Sequence, residues 1–334
     1  MSTPDLSVIV VTPERFQNIR RTVRHLRAQT ARDRIELVLV APTEHALDDH
    51  EAYELEGFAN VVRVAAGPID NVDRASAQGA WEASAPIVAF IEDHAFPDAR
   101  WAEATLDTYD EGPYSVVGST MVNANPRSGL SWTNLLLAYG WWTDPAEAGA
   151  VDALPGHNAS FKRDVLLEFG DRLPDLMARG GGLLDELKDA GHAFALGAGR
   201  VAHLNPSRLA STAALRFDAG RLYGVTRAER EGWGLGKRLA YTVGGPAIPL
   251  VRLRRVREEL FPGSRERLLP RVYPALALGL VMDGLGQMTG YALGGGGAQK
   301  RLSTFEMDRI EHLNASDQGV FGSETPQPDS LEPA

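Results

Sequence analysis

The sequence predicts an α/β fold with a mostly parallel sheet flanked by helices, followed by a C-terminal helical segment of different character. Two observations carry this prediction. Up to residue 91, short apolar runs rich in β-branched residues alternate with helical patterns, which is typical of strand–helix–strand units in a parallel sheet. In the last third of the chain, long apolar stretches broken by proline and glycine replace that alternation.

The predicted elements follow in order along the chain. The run LSVIVV at 6–11 is typical of a buried parallel strand, and the next segment places Phe16, Ile19 and Val23 at helical spacing. A helix of small residues precedes a strand at 86–91. Further strands are predicted at 35–40, 60–66 and 114–122.

The composition excludes several functions. The chain of 334 residues has a formal net charge of −10 and no cysteine. We therefore expect no binding to nucleic acid, and disulfides, thiolate metal sites and a thiol nucleophile are excluded. The N-terminal MSTPDLSVIV lacks the basic region and apolar core of a cleaved secretion signal, so the bulk of the protein is expected in the cytoplasm.

An acidic pair and a histidine, Glu92-Asp93-His94, follow the predicted strand at 86–91. In parallel α/β sheets, ligands bind outside the carboxyl ends of the strands. This position favours a functional site over the plain end of a buried strand.

The C-terminal third combines apolar and basic residues. Between Leu250 and Arg301, nine basic residues stand against four acidic ones, which predicts contact with anionic lipid headgroups. In the apolar stretch 273–293, leucine and valine favour membrane insertion by about 2–4 kcal/mol, whereas Asp283 opposes it by about 3 kcal/mol. A helix in the membrane interface therefore fits better than a spanning one, with a core helix of a second small domain as the alternative.

Four segments, taken in order, resemble family 2 glycosyltransferases of the GT-A fold: LSVIVVTPER, DRASAQGAWEASAPIVAFIEDHAFPDARW, GHNASFKRDVLLEFG and GRVAHLNP. Residues 207–313 resemble the tail of bacterial membrane-associated members. The predicted organisation is a nucleotide-sugar domain at 1–206, a membrane-interface segment at 207–313, and a disordered, acidic tail at 314–334.

The resemblance implies a set of site residues. Glu92 falls where the family binds the ribose, and Asp93, His94 and His203 fall where it holds a divalent cation. Arg74 and Asn158 match residues near the nucleotide and the donor sugar, although Asn158 could instead cap a following helix. Because an imidazole ligand suits Mn²⁺ better than Mg²⁺, Mn²⁺ is the expected metal.

The sequence departs from the family in two places. Ala41-Pro42 stands where the family usually has an aspartate that binds uracil, so UDP is not assumed as the nucleotide. Arg179-Gly180 stands where inverting members have the catalytic carboxylate, and Asp175 and Asp185 are the two candidates to replace it.

Two hypotheses of different classes follow. The first is a metal-dependent, inverting glycosyltransferase on the cytoplasmic face of the membrane, which transfers a sugar from a nucleotide-diphospho-sugar to a lipid-linked or envelope acceptor. The second is a membrane-associated, non-catalytic relative that has lost its base and acts as a binding or scaffold protein. A nucleotidyltransferase is disfavoured, because VVTPERFQN lacks a glycine-rich phosphate loop.

Overall fold

The computed structural model describes residues 3–178, 182–259 and 269–322. The chain forms two compact units. The first comprises Met1–Val122 and Trp142–His203, and the second comprises Asn123–Trp141 and Leu204–Ala334. The nucleotide-sugar domain expected at 1–206 is therefore interrupted, because residues 123–141 belong to the second unit.

The first unit is built on a parallel sheet. Strand β1 (Leu6–Val11) lies between β2 (Ile35–Ala41) and β4 (Ile87–Ile91), and β3 (Asn60–Ala65) pairs with β2, all in parallel. These strands agree with the prediction to within one residue at each end. Their burial on both faces explains why they appear in the sequence as unbroken apolar runs.

Antiparallel strands extend this sheet beyond β4. The added strands are β5 (Ala95–Pro97), β6 (Tyr114–Asn123), β7 (Gly149–Val151), β8 (Ala159–Lys162) and β9 (Ala193–His203). Among the described residues the strand order is β3-β2-β1-β4-β8-β6-β9-β5, and β7 also pairs with β9.

Helices cover the sheet of the first unit. In α1, Phe16, Ile19 and Val23 are fully buried, as the helical spacing predicts. One apolar cluster joins the strands to α2 and to the short helices that follow β8. The helices of this unit are α1 (Phe16–Arg27), α2 (Val72–Glu82), α3 (Trp101–Glu111), α5 (Arg163–Leu167), α6 (Leu173–Met177) and α7 (Gly182–Asp189).

The Gly156-His157-Asn158 turn leads into a strand. Asn158 directly precedes β8, and helix α5 begins only at Arg163. Asn158 therefore does not cap a helix, and the alternative interpretation of this residue as a helix cap is wrong. Ser160 lies inside β8, and its hydroxyl donates to the carbonyl of Val117.

The second unit is helical. Helix α11 packs against α4, α8, α9 and α10, with Val272, Leu276 and Leu280 in an apolar cluster. Asp283 is buried and forms an ion pair with Arg252, which offsets the cost of burying its charge. The helices of this unit are α4 (Gly129–Tyr139), α8 (Leu209–Arg230), α9 (Leu235–Gly244), α10 (Ile248–Glu259), α11 (Leu269–Leu293), α12 (Ala298–Met307) and α13 (Ala315–Phe321).

Glycines let α8 and α11 approach until their backbones touch. A Cβ on Gly220 would lie 2.2 Å from the carbonyl oxygen of Asp283, and a Cβ on Gly286 would lie 2.0 Å from that of Phe217. Gly224 and Gly290 are in similarly close contact with the opposite helix. Gly286 and Gly290, four residues apart on α11, thus serve contact between two helices of the same chain.

The expected disordered tail is wrong over its first part. Asn314 caps helix α13 by accepting from the backbone N–H of Asp317, and the buried Asp317 accepts from Ser207 and Asn125. These polar contacts order a segment whose composition is typical of disorder. The rest of the predicted tail, 323–334, lies outside the described residues.

Within residues 3–178, 182–259 and 269–322, no helix has both the length and the apolar character that crossing a bilayer requires. This includes α11, which contains the stretch 273–293.

Candidate functional site

Two strand ends bring the predicted metal ligands together. Glu92-Asp93-His94 leaves the carboxyl end of β4 and enters the short strand β5. Strand β5 pairs in antiparallel register with the end of β9, with Ala95 opposite His203. This register places His203 beside the triplet, although more than a hundred residues separate them in the sequence.

Glu92, His94 and His203 form a group able to hold a metal ion. Their ligand atoms lie within 4.8 Å of one another. Oε2 of Glu92 is 3.3 Å from Nε2 of His203 and 3.8 Å from Nε2 of His94. One carboxylate oxygen and two imidazole nitrogens form a donor set that suits Mn²⁺ and later divalent transition metals.

Asp93 lies behind this group and orients one of its members. Its Oδ1 is 2.6 Å from Nδ1 of His94, so the other ring nitrogen of His94 faces Glu92. The hydroxyl of Thr22, on α1, donates to the carbonyls of Asp93 and Ala95 and anchors the triplet. In this geometry Asp93 has the position of a residue that orients a metal-binding histidine.

Asn158 contacts Glu92 through both ends of its amide. Its Oδ1 accepts from the backbone N–H of Glu92 at 3.2 Å, and its Nδ2 donates to Oε2 of Glu92 at 2.5 Å. Antiparallel pairing of Ala89 with Ser160 brings the two residues to the same edge of the sheet. Asn158 is buried and has a φ of 53°, a left-handed conformation that asparagine tolerates better than most residues.

His157 and Asp73 also belong to the site. Nδ1 of His157 is 3.5 Å from Oε1 of Glu92 and 3.7 Å from Oδ1 of Asp73. His157 lies in the segment GHNASFKRDVLLEFG, but the sequence assigned it no role, and Asp73 was missed. The available signal for Asp73 was its place beside Arg74 in the first turn of α2, since both residues begin the same helix.

The histidines control the charge of Glu92. Burial alone would disfavour the ionised carboxylate, but the nearby charges of His94 and His157 oppose this effect. Together with the hydrogen bond from His203, they hold the pKa of Glu92 well below its usual range. The site therefore presents an ionised carboxylate at neutral pH.

The remaining predicted residues lie on α2, α6 and α7. Arg74 and Asp175 are both exposed, and Nη2 of Arg74 donates to Oδ1 of Asp175 at 3.1 Å. Asp185 lies partly exposed in the first turn of α7, opposite the buried leucines of that helix. Arg179 and Gly180, where the family's catalytic carboxylate was sought, lie outside the described residues.

Ala41 has no side-chain donor or acceptor that could bind a nucleotide base. This residue is fully buried at the end of β2, and its carbonyl accepts from the N–H of Ala66. The carbonyl of Pro42 accepts from the N–H of Gly67. A nucleotide base bound at this strand end would have to be recognised by groups other than the side chains of Ala41 and Pro42.

The sheet, in which β1 to β4 run parallel and polar side chains gather at their carboxyl ends, is consistent with the GT-A type of α/β domain. Residues 7–169 match the family model of glycosyl transferase family 2, and this part of the chain is a glycosyl transferase family 2 domain. A stretch covering 49% of the chain is 29% identical to the glucosyl-dolichyl phosphate glucuronosyltransferase of Haloferax volcanii. It covers 55% of that protein, so the chain spans about half the length of this relative.

Proposed function

We propose that this protein is a metal-dependent, inverting glycosyltransferase that moves a sugar from a nucleotide-diphospho-sugar to a lipid-linked or envelope acceptor. The observation that carries the proposal is the group of Glu92, His94 and His203 at the carboxyl ends of the strands in a family 2 domain. We place the reaction at the cytoplasmic face of the cell membrane.

The donor set fits a divalent cation, with Mn²⁺ preferred over Mg²⁺. Glu92, His94 and His203 would hold the cation, which supplies positive charge to stabilise the leaving diphosphate. Asp93 fixes the ring orientation of His94, and Asn158 fixes the carboxylate of Glu92. These contacts preorganise the ligands before the donor binds.

The catalytic base is proposed to be Asp175, with Asp185 as the second choice. The resemblance places Arg74 near the nucleotide, and Asp175 contacts Arg74 directly. A carboxylate beside a nucleotide-binding arginine is well placed to take the proton from an acceptor hydroxyl as it attacks the anomeric carbon. Asp175 is also exposed, which leaves it accessible to an acceptor.

The class of acceptor rests on the relative. Its name describes a transferase that acts on glucosyl-dolichyl phosphate, which is a sugar on a lipid phosphate. A lipid-linked acceptor requires a protein that works at a membrane surface. The basic and apolar helices of the second unit support such a location.

Calorimetry of the purified protein tests the donor site. UDP, GDP, dTDP and CDP are titrated with Mn²⁺, with Mg²⁺ and without metal. We expect metal-dependent binding of one nucleotide, lost in His94→Ala and kept in the matched control His45→Ala, whose side chain is 93% exposed. Absence of binding across the whole panel would contradict the proposal.

A second assay separates the enzyme from the non-catalytic alternative. Once the nucleotide is known, sugar transfer is measured with lipid-linked acceptors in the wild type, Asp175→Asn and Asp185→Asn. We expect loss of turnover with retained nucleotide binding in Asp175→Asn. Nucleotide binding without turnover in the wild type would instead support a binding or scaffold protein.

A further inference from the structure

Helix α9 exposes its apolar side chains instead of burying them. Leu235, Leu239 and Val243 are 87%, 65% and 75% exposed. They recur every fourth residue and so lie on one face of the helix. Leu250 and Val251, at the start of α10, are 70% and 51% exposed. We call these five residues the α9–α10 apolar surface.

The opposite side of α9 holds the helix in place. Arg238 and Thr242 are partly buried, and Nε of Arg238 donates to the carbonyl of Trp233. The ring of Tyr241 lies 4.2 Å from that of Trp233 and 5.8 Å from that of Tyr291. Polar and aromatic side chains thus anchor the helix, and its aliphatic side chains point outward. In an ordinary surface helix the aliphatic side chains are buried and the polar ones are exposed.

The charge close to this surface is mainly positive, although Lys237 also forms an ion pair with Glu231 at 3.3 Å. From residue 232 to residue 257 the sequence contains six basic residues and no acidic one, although the chain as a whole carries a net charge of −10. Lys237, Arg254 and Arg255 are exposed. Exposed leucine and valine among cationic side chains match an anionic lipid surface, where the aliphatic groups enter the interface and the cations meet the phosphates.

We infer that α9 and the first turn of α10 lie in the interface of an anionic bilayer, with Leu235, Leu239 and Val243 as the inserted residues. The inference deepens the proposed function and rests on its membrane location. It assigns the contact to α9 rather than to α11, because Val272, Leu276 and Leu280 of α11 are buried within the unit. Val281 and Leu285 of α11 are each 45% exposed, which is less than any of the three α9 side chains. A second copy of the chain is a poorer occupant, because two cationic surfaces would repel each other.

Vesicle flotation of the full-length protein tests this assignment. We expect binding to vesicles rich in phosphatidylglycerol, weak binding to phosphatidylcholine vesicles, and release as the salt concentration rises. The triple variant Leu235→Ser, Leu239→Ser, Val243→Ser should bind about tenfold more weakly or worse, because its insertion loses three aliphatic side chains. All three side chains are exposed, so the variant should keep the thermal midpoint of the wild type.

A matched control lies in the same unit. Leu209 and Tyr223 on α8 are 63% and 54% exposed. The double variant Leu209→Ser, Tyr223→Ser removes comparable exposed apolar groups and should bind vesicles as the wild type does. Equal loss of binding in the control and triple variants would overturn the assignment to α9.

The absence of cysteine allows a direct measure of depth. A single Leu239→Cys variant is labelled with an environment-sensitive fluorophore and compared with Leu209→Cys. We expect a blue shift with anionic vesicles for position 239 only. A blue shift that rises with protein concentration in the absence of vesicles would show that a second copy covers the surface and would refute the inference.

The proposed donor site and the proposed lipid contact of α9 can be tested independently of each other. Binding of nucleotide and metal is measured without vesicles, and the triple variant should bind both as the wild type does. If the wild type binds nucleotide but does not bind anionic vesicles, only the proposed lipid-binding surface is rejected. Vesicle binding without nucleotide binding would reject the donor site alone.

Discussion

Glu92 and Asn158 hold each other through two reciprocal hydrogen bonds. The backbone N–H of Glu92 donates to the amide oxygen of Asn158, and the amide nitrogen of Asn158 donates to the carboxylate of Glu92. The contact joins the residue after β4 to the residue before β8. It fixes the only carboxylate among the three grouped metal-ligand candidates of the described chain.

Substitution of Asn158 separates its backbone role from its side-chain role. Both Asn158→Gly and Asn158→Ala lose the two hydrogen bonds to Glu92, at a cost of about 1–3 kcal/mol in the free energy of unfolding. Only alanine also opposes the left-handed backbone, by roughly 1–2 kcal/mol. Urea unfolding should therefore rank wild type above Asn158→Gly above Asn158→Ala, and equal stability of the two variants would be inconsistent with this backbone conformation.

Asp93 is predicted to act on metal affinity through His94. Asp93→Ala removes the partner of Nδ1 of His94 and should weaken metal binding about 10–100-fold. Asp93→Asn keeps an acceptor oxygen and should have a smaller effect, whereas His94→Ala removes a ligand and should have the largest. Calorimetric titration with Mn²⁺ measures all three, and equal losses in Asp93→Ala and His94→Ala would make Asp93 a direct ligand.

The two histidines are predicted to determine which metal is bound. After removal of metal by a chelator, Mn²⁺ and Co²⁺ should bind more tightly than Mg²⁺ and restore nucleotide binding more effectively. His94→Asp should shift the preference towards Mg²⁺, because Mg²⁺ favours oxygen ligands. A wild-type protein that binds Mg²⁺ more tightly than Mn²⁺ would count against Glu92, His94 and His203 as the donor set.

Glu36 is predicted to make stability depend on acid pH. Its carboxylate is buried, which disfavours ionisation, but hydrogen bonds from Ser7, Ser84 and Asn60 outweigh this and lower its pKa below the usual 4.5. A lowered pKa in the folded state stabilises the protein above the unfolded pKa, and this contribution is lost as pH falls through the folded pKa.

Glu36→Gln tests that contribution. At neutral pH the variant should lose about 1–3 kcal/mol in the free energy of unfolding. The difference from the wild type should shrink as pH falls below 4.5. Chemical unfolding over this pH range measures it, with the exposed Glu44→Gln as a control that stays close to the wild type. A constant difference at all pH values would contradict the lowered pKa.

The contact between α8 and α11 is predicted to tolerate no side chain at Gly286. Gly286→Ala forces a Cβ against the carbonyl of Phe217 and should destabilise the protein by about 2 kcal/mol or more. Gly236 on α9 has open space at its Cβ position, so Gly236→Ala should be neutral or stabilising by up to about 1 kcal/mol. Thermal unfolding compares them, and similar midpoints for the two variants would disprove the close contact.

Local pattern predicted much of the first unit. The parallel strands are buried on both faces, so each appears as a continuous apolar run, and the bounds of β1, β2, β3 and β4 are confirmed to within one residue. The resemblance named Glu92, Asp93, His94 and His203, and the structure brings them together, with Asp93 against His94 and the other three in one group. The strand β8 after Asn158 was missed, because four residues of ASFK carry too little periodicity to distinguish a strand from a helix start.

The sequence by itself determined the α/β class, the four parallel strands β1 to β4, and the position of the acidic triplet at a strand end, since all three follow from local hydrophobic periodicity. Only the tertiary structure decided that Glu92, rather than Asp93, faces His94 and His203, and that α9 turns its leucines outward. The first depends on the register of β5 with β9 and the second on aromatic contacts with Trp233 and Tyr291. The pairing of β5 with β9 and the contact of Tyr241 with Tyr291 are both long-range, and the local sequence does not specify which distant partner a side chain will meet.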